Sequence, residues 1–274
     1  MNAFERFRKD VRMMLAMVRN GWNTRMQAQQ KTGREGLAMV TLQMFHVASR
    51  AIPVIRHTRG SLPDAPDHAR FRELLDYLEK AEEGRDLVAL GDLERMGYDP
   101  ARCRETMPLP TTYNLTASTW AAVDELGPYV FLGAAYASEL ILDDLRLRFH
   151  ELYAEDPDLC NCIAFYRIFG ASALDRADRT EACFLHYIED QGLYESMMMG
   201  YLSAAKNLLL LGTEIQSAKA YPKSYELPSA RALDVQRTSG ALFDGPGRAG
   251  ALPRILPALE GTAAQEAAAP VSQA

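Results

Sequence analysis

The chain has 274 residues, of which 48% are hydrophobic, and this is enough for one large core or two modest ones. Its 36 acidic residues outnumber its 30 basic ones, so the overall charge does not favour binding to nucleic acid. Four scattered cysteines are too few for a disulfide scaffold. No apolar signal segment or obvious transmembrane stretch is apparent, and we therefore expect a soluble, cytoplasmic protein.

Residues 1–35 form a basic segment, and residues 1–34 of it contain eight Lys and Arg residues but only two acids. Its apolar residues recur at helical spacing, for example at Phe4, Phe7 and Val11. Such a helix can lie on an anionic membrane or act as a transit peptide. The interpretation that we favour is a helix that packs its apolar side on its own domain and leaves the charges in water.

The following residues, 36–238, predict a helical domain with almost no strand signal. Helices are expected at 36–59, 67–96, 114–126, 128–149, 160–174 and 180–213. Gly97 is placed to end the second of these, and the charged run Asp-Arg-Ala-Asp-Arg at 175–179 predicts a break before the last one. Residues 239–274 are rich in Ala, Gly and Pro and predict a disordered tail. The sequence thus favours an all-α bundle of seven to eight helices.

Carboxylates and histidines that point inward from facing helices are the usual metal ligands of such bundles. Glu82 lies on the predicted helix 67–96, and Glu139 lies in a small and apolar run where a carboxylate needs a partner. His186 and Asp190 are four residues apart and share a helix face. These four residues are the candidate metal ligands, although each also has an interpretation as a solvated or structural residue.

Four segments in this order resemble the heme-oxygenase-like di-iron oxidases, a group of iron-containing redox enzymes that share their fold with heme oxygenase, PqqC and TenA. The segments are LQMFHVASRAIPVI, YLEKAEEGRDLVALGDLERMGYDP, YVFLGAAYASEL and CFLHYIEDQG, within residues 36–213. The resemblance implies a heme-oxygenase-like bundle, one or two irons, and oxidation by O₂ of a small amino-acid- or fatty-acid-like metabolite. It also implies a homodimer.

In that family the long helix carries Glu-x-x-His and a later helix carries a second Glu. Carried over to this chain, Glu82 and Glu139 match the two acids, but Arg85 stands where the histidine is expected. A permanent cation close to a divalent metal repels it, whereas an Arg–carboxylate pair can fill the space of the metal.

The last core helix of the family supplies His, Asp and His. One register places His186 and Asp190 at the first two positions and Leu193 at the third. The other register places Ile188, Gly192 and Glu195 there. The ligand set that the resemblance implies is therefore incomplete in this chain in either register.

Three hypotheses follow from the sequence. The first is an iron-dependent oxidoreductase that uses Glu82, Glu139, His186 and Asp190. The second is a metal-independent or non-catalytic relative that binds a small ligand or serves as a partner subunit, and it has no cofactor. The third is heme binding, for which His46 is the candidate axial ligand.

Overall fold

The computed structural model describes residues 33–171 and 173–217, together with residues 5, 7, 9–17 and 20 near the N-terminus. All described residues belong to one compact unit, Met1–Ala230. The predicted tail at residues 239–274 lies outside the described residues. Over residues 33–217 the described backbone contains helices and turns but no strand, so the prediction of an all-α bundle is confirmed.

Nine α-helices and two short 3₁₀ turns, at Pro66–His68 and Cys160–Cys162, make up this described part. The helices are α1 (Gly33–Gly60), α2 (Ala69–Glu82), α3 (Arg85–Arg95), α4 (Pro100–Glu105), α5 (Pro110–Leu126), α6 (Tyr129–Tyr153), α7 (Ala164–Ala171), α8 (Ala173–Tyr187) and α9 (Gln191–Ser217).

The centre of the bundle is the contact between α6 and α9, where two glycines let the backbones touch. A Cβ atom on Gly133 would lie 1.7 Å from the carbonyl oxygen of Met197, and a Cβ on Gly200 would lie 1.9 Å from that of Val130. Helix α6 also packs against α5 and α8, while α1 packs against α2, α3 and α5. Close approach through small residues thus brings α6 and α9 together at the core.

The sequence predicted one continuous helix at 67–96, and this was wrong because the structure has two helices there, α2 and α3. Gly84 lies between them and adopts the left-handed conformation, with φ 76°, which ends the helical path. A residue with a Cβ atom adopts this conformation only under strain. Gly97, with φ 92°, ends α3 as predicted, and Tyr98 N donates to the carbonyl of Leu93 in the hydrogen bond of a Schellman motif.

The predicted break at residues 175–179 was also wrong, since this run lies inside α8. Its charges suit a helix because Asp175 and Arg179 pair across one turn on the exposed side. The chain breaks later, between Tyr187 and Gln191.

The described residues of the basic N-terminal segment are helical, and its apolar side is buried. Phe7 stacks on Phe184 with ring centroids 4.2 Å apart, and Tyr201 donates to the carbonyl of Val11. Lys9 and Arg12 are exposed. The described residues therefore agree with the interpretation of a helix that packs on its own domain.

Among the residues that the structure describes, α1 is long and apolar enough to cross a membrane by length and composition, although the sequence had predicted no transmembrane stretch. Within the bundle, 67% of its apolar window is buried.

Candidate functional site

A mainly apolar cavity of about 120 Å³ lies among α1, α2, α3, α5, α6 and α9, with a contribution from α7. Its apolar wall includes Met44, Ala48, Leu78, Phe131, Ala204 and Leu208. Three charged residues also line it, and they are Glu82, Arg85 and Glu139. This combination of an apolar wall and a few convergent polar groups is typical of a small-molecule site.

Glu82 and Arg85 reach the cavity because of the break between α2 and α3. Glu82 is the last residue of α2 and Arg85 is the first of α3, and the turn at Gly84 points both side chains inward. They are only 7% and 5% exposed, and Nη1 of Arg85 donates to Oε1 of Glu82. The guanidinium carbon of Arg85 lies 5.3 Å from the centroid of the Phe165 ring, in a cation–π contact. The pairing that the sequence suggested is confirmed.

Glu139 enters the same cavity from α6 and has its own arginine. Nε of Arg176, on α8, donates to Oε2 of Glu139 at 2.7 Å, and Arg176 is completely buried. Burial raises the pKa of Glu139, while Arg176 and Arg85 act in the opposite direction and the Glu82 carboxylate adds to the increase. The two ion pairs are thus close enough to influence each other, and we call these four side chains the Glu–Arg cluster.

Arg176 is the member of this cluster that sequence reasoning missed. It lies in the run at 175–179 that was predicted to be a break. The signal was present, because Arg176, Thr180, Cys183 and Phe184 recur at helical spacing and are all buried.

His186 and Asp190 do not meet the two acids at the cavity. His186 is exposed on α8, where its ring contacts the edge of Tyr187 with centroids 4.7 Å apart. Asp190 is exposed in the turn before α9, and its Oδ1 accepts a hydrogen bond from the backbone N of Leu193 at 3.1 Å. In this structure Asp190 therefore acts as a helix cap.

The side chains at the cavity do not fit an iron centre. Iron in helical bundles is held by several carboxylates and histidines. The described part of the chain has no group of three or more His, Cys, Asp or Glu residues that could hold a metal ion. Both cavity carboxylates, Glu82 and Glu139, are instead paired with arginine.

His46 is buried on α1, does not line the cavity, and forms a hydrogen bond with Thr106. Its Nε2 lies 2.9 Å from Oγ1 of Thr106, whose own hydroxyl donates to the carbonyl of Cys103. This network assigns the proton to Nε2, which donates to Thr106. Burial, with help from the Arg50 charge, lowers the pKa of His46 to about 4. The geometry therefore favours a structural role over axial ligation of heme.

Asp92 on α3 holds the start of α7 and so places Phe165 beside Arg85. Its completely buried carboxylate accepts from the backbone N of Phe165 at 2.7 Å and from that of Ala164 at 3.1 Å. Nη1 of Arg95 donates to the same carboxylate at 2.6 Å. Asp92 was not singled out from the sequence, since a carboxylate that caps another helix leaves no local pattern.

The sequence matches no protein-family model, and no curated protein sequence matches it significantly. One solved structure is similar, a domain of unknown function with a heme oxygenase-like fold from Shewanella denitrificans OS217. It superposes with a TM-score of 0.61 over 82% of this chain and 97% of its own, at 16% sequence identity. The order of the helices and this superposition together show that the chain has the heme-oxygenase-like fold.

Proposed function

We propose that this protein is a metal-independent relative of the heme-oxygenase-like oxidases, and that it binds a small ligand in the cavity beside the Glu–Arg cluster. The observation that carries the proposal is the pairing of each cavity carboxylate with a buried arginine, Glu82 with Arg85 and Glu139 with Arg176. The carboxylate oxygens that a metal would require accept hydrogen bonds from guanidinium groups.

The physical basis is the cost of a buried charge. A carboxylate inside a bundle is stable only when a cation or several hydrogen-bond donors compensate it. A metal ion supplies this compensation in an iron protein, and an arginine, with its planar fork of donors, supplies it equally well. A metal that entered here would first have to displace two arginines into an apolar interior.

An iron-dependent oxidase is the second candidate, and one observation favours it. Glu82 and Glu139 come from separate helices and line the same cavity, as the resemblance to the di-iron oxidases implied. This candidate requires the Arg85 side chain to leave Glu82, together with further ligands beyond those in the cavity wall. Its substrate would be the amino-acid- or fatty-acid-like metabolite that the resemblance suggests.

The two candidates differ in their response to iron. We expect protein that is loaded with Fe(II) without oxygen and then desalted to retain far less than one iron per chain. Its melting temperature should be the same with Fe(II) and with a strong chelator, because a metal that does not bind the folded state cannot stabilise it. One or two irons per chain, lost in both Glu82→Ala and Glu139→Ala, together with oxygen consumption that depends on Fe(II), would establish the oxidase instead.

A further inference from the structure

The cavity restricts its ligand by size, by charge and by hydrogen bonding, and the inference drawn from this rests on the proposed function. We propose that the ligand is a small uncharged molecule of about five or six heavy atoms, with an aliphatic body and one hydroxyl group.

The volume of the cavity limits the size of the ligand. The cavity volume is about 120 Å³. An apolar cavity of about 150 Å³ in another protein binds benzene, so this one accommodates about five or six heavy atoms. Its wall consists mainly of aliphatic and aromatic side chains such as Met44, Leu115 and Leu208, which bury a hydrocarbon body favourably.

The ion pairs in the cavity wall disfavour a charged ligand. Each charged side chain in the wall already has an ion-pair partner inside the protein, Glu82 with Arg85 and Glu139 with Arg176. A ligand carboxylate or ammonium group would have to break one of these pairs or enter the interior without a counter-ion. Either route costs more than burying a neutral ligand of the same shape, so the cluster selects against ions.

The polar groups of the cavity wall favour a ligand hydroxyl. Three hydroxyl side chains line the cavity, and each donates its own proton to a backbone carbonyl: Thr119 to Leu115 at 2.8 Å, Ser138 to Ala134 at 2.9 Å, and Thr116 to Tyr113 at 3.1 Å. Their oxygens therefore offer lone pairs to a ligand. The guanidinium group of Arg85 carries only donors. A ligand hydroxyl can donate to the first kind of group and accept from the second.

Three probes that share a five-carbon chain and differ in their polar group test this proposal: 1-pentanol, pentanoate and pentylamine. Binding is followed through the ¹³C-labelled methyl group of Met44, which lines the cavity, and Met199, which is 54% exposed and does not line it, is the internal control. We expect 1-pentanol to shift the Met44 signal with a Kd at least tenfold lower than that of either ion, and to leave the Met199 signal unchanged.

Two alanine substitutions separate the cavity from the rest of the surface. Ala51→Phe fills part of the cavity wall and should abolish the shift of Met44 by 1-pentanol. Ala101→Phe lies on the exposed side of α4, away from the cavity, and should leave that shift intact. Equal or tighter binding of pentanoate or pentylamine would overturn the ligand class and keep the binding function. If no probe moved Met44, the proposed binding function itself would be wrong.

Two further variants test whether the Glu–Arg cluster selects against charged ligands. Glu82→Gln removes the carboxylate beside Arg85 and should lower the Kd of pentanoate relative to 1-pentanol at least tenfold. Arg85→Gln removes the cation beside Glu82 and should do the same for pentylamine. Unchanged selectivity in both folded variants would refute selection by the Glu–Arg cluster. If a variant does not fold, the probe series on the natural protein decides the ligand class.

Discussion

At the scale of single residues, the Glu–Arg cluster links stability to the site. Arg176 has no exposure to solvent and Glu139 has only 5%, so each of these charges depends on the other for compensation. Residues of this kind stabilise the fold when both are present and destabilise it when one is removed. The same residues set the electrostatic character of the cavity.

We expect Arg176→Met to lower the free energy of unfolding by about 3–5 kcal/mol, because it leaves the buried Glu139 without its guanidinium partner. Chemical denaturation measures this change. Arg179→Met, three residues along α8 and exposed, is the matched control and should cost much less, because solvent screens an exposed ion pair. The double variant Arg176→Met with Glu139→Leu should recover most of the loss. A loss in the double variant as large as in Arg176→Met would show that packing, not charge, explains the effect.

His46 makes stability depend on pH in a predictable direction. Its pKa in the folded protein is about 4, below the ordinary value of 6.5, so between these values the unfolded chain binds a proton that the folded chain does not. The contribution of His46 to the free energy of unfolding is therefore fully present above pH 6.5 and is lost as the pH falls toward 4, by up to about 3 kcal/mol. Urea denaturation between pH 4 and 7 should show a shallower pH dependence in His46→Gln than in the natural protein. Parallel curves would show that His46 does not cause it.

At the scale of helices, two breaks in the chain create the site. The turn at Gly84 separates α2 from α3 and turns Glu82 and Arg85 toward the cavity. The cap that Asp92 provides fixes the start of α7, and with it the ring of Phe165 that contacts Arg85. The position of the charged cluster thus depends on where helices end and begin.

The close contact between α6 and α9 depends on glycine, so a larger residue there should lower the stability of the bundle. Gly200→Ala would place a methyl group 1.9 Å from the Val130 carbonyl oxygen, and the helices would have to separate. We expect a loss of about 3 kcal/mol in stability, at the upper end for overpacked cores. Gly91→Ala on α3 is the control, since its Cβ would meet nothing closer than 3.9 Å, and it should stabilise the helix by up to about 1 kcal/mol. Thermal unfolding compares the two, and similar melting temperatures would contradict the close contact.

At the scale of the whole molecule, the sequence predicted the class of fold and singled out three of the four cluster residues, Glu82, Arg85 and Glu139, as site candidates. Apolar residues at helical spacing and the near absence of strand signals indicated the bundle. Glu139 was recognised because a carboxylate in an apolar run needs a partner. Arg85 was singled out because it stands three residues after Glu82, where the resemblance implied a histidine, and an arginine there can pair with the carboxylate.

Local sequence patterns could not predict the other parts of the site. Arg176 and Glu139 are 37 positions apart along the chain, so no local pattern links them. The nearby Arg179 is exposed, so the sequence alone does not tell which arginine of this run is buried. His186 and Asp190 share a helical spacing, but α8 ends at Tyr187, so the two do not continue along one helix into the core.

The sequence by itself determined that this chain forms helices and that Arg85 stands close enough along the chain to pair with Glu82, since hydrophobic periodicity and short spacings act within a few turns of the chain. Only the tertiary structure decided which arginine compensates Glu139, where the long helix breaks, and that both acids line one cavity while His186 and Asp190 remain at the surface. The physical reason is that burial of a charge is a property of the packed bundle: the same arginine is a solvated cation or a counter-ion according to which helix packs against it.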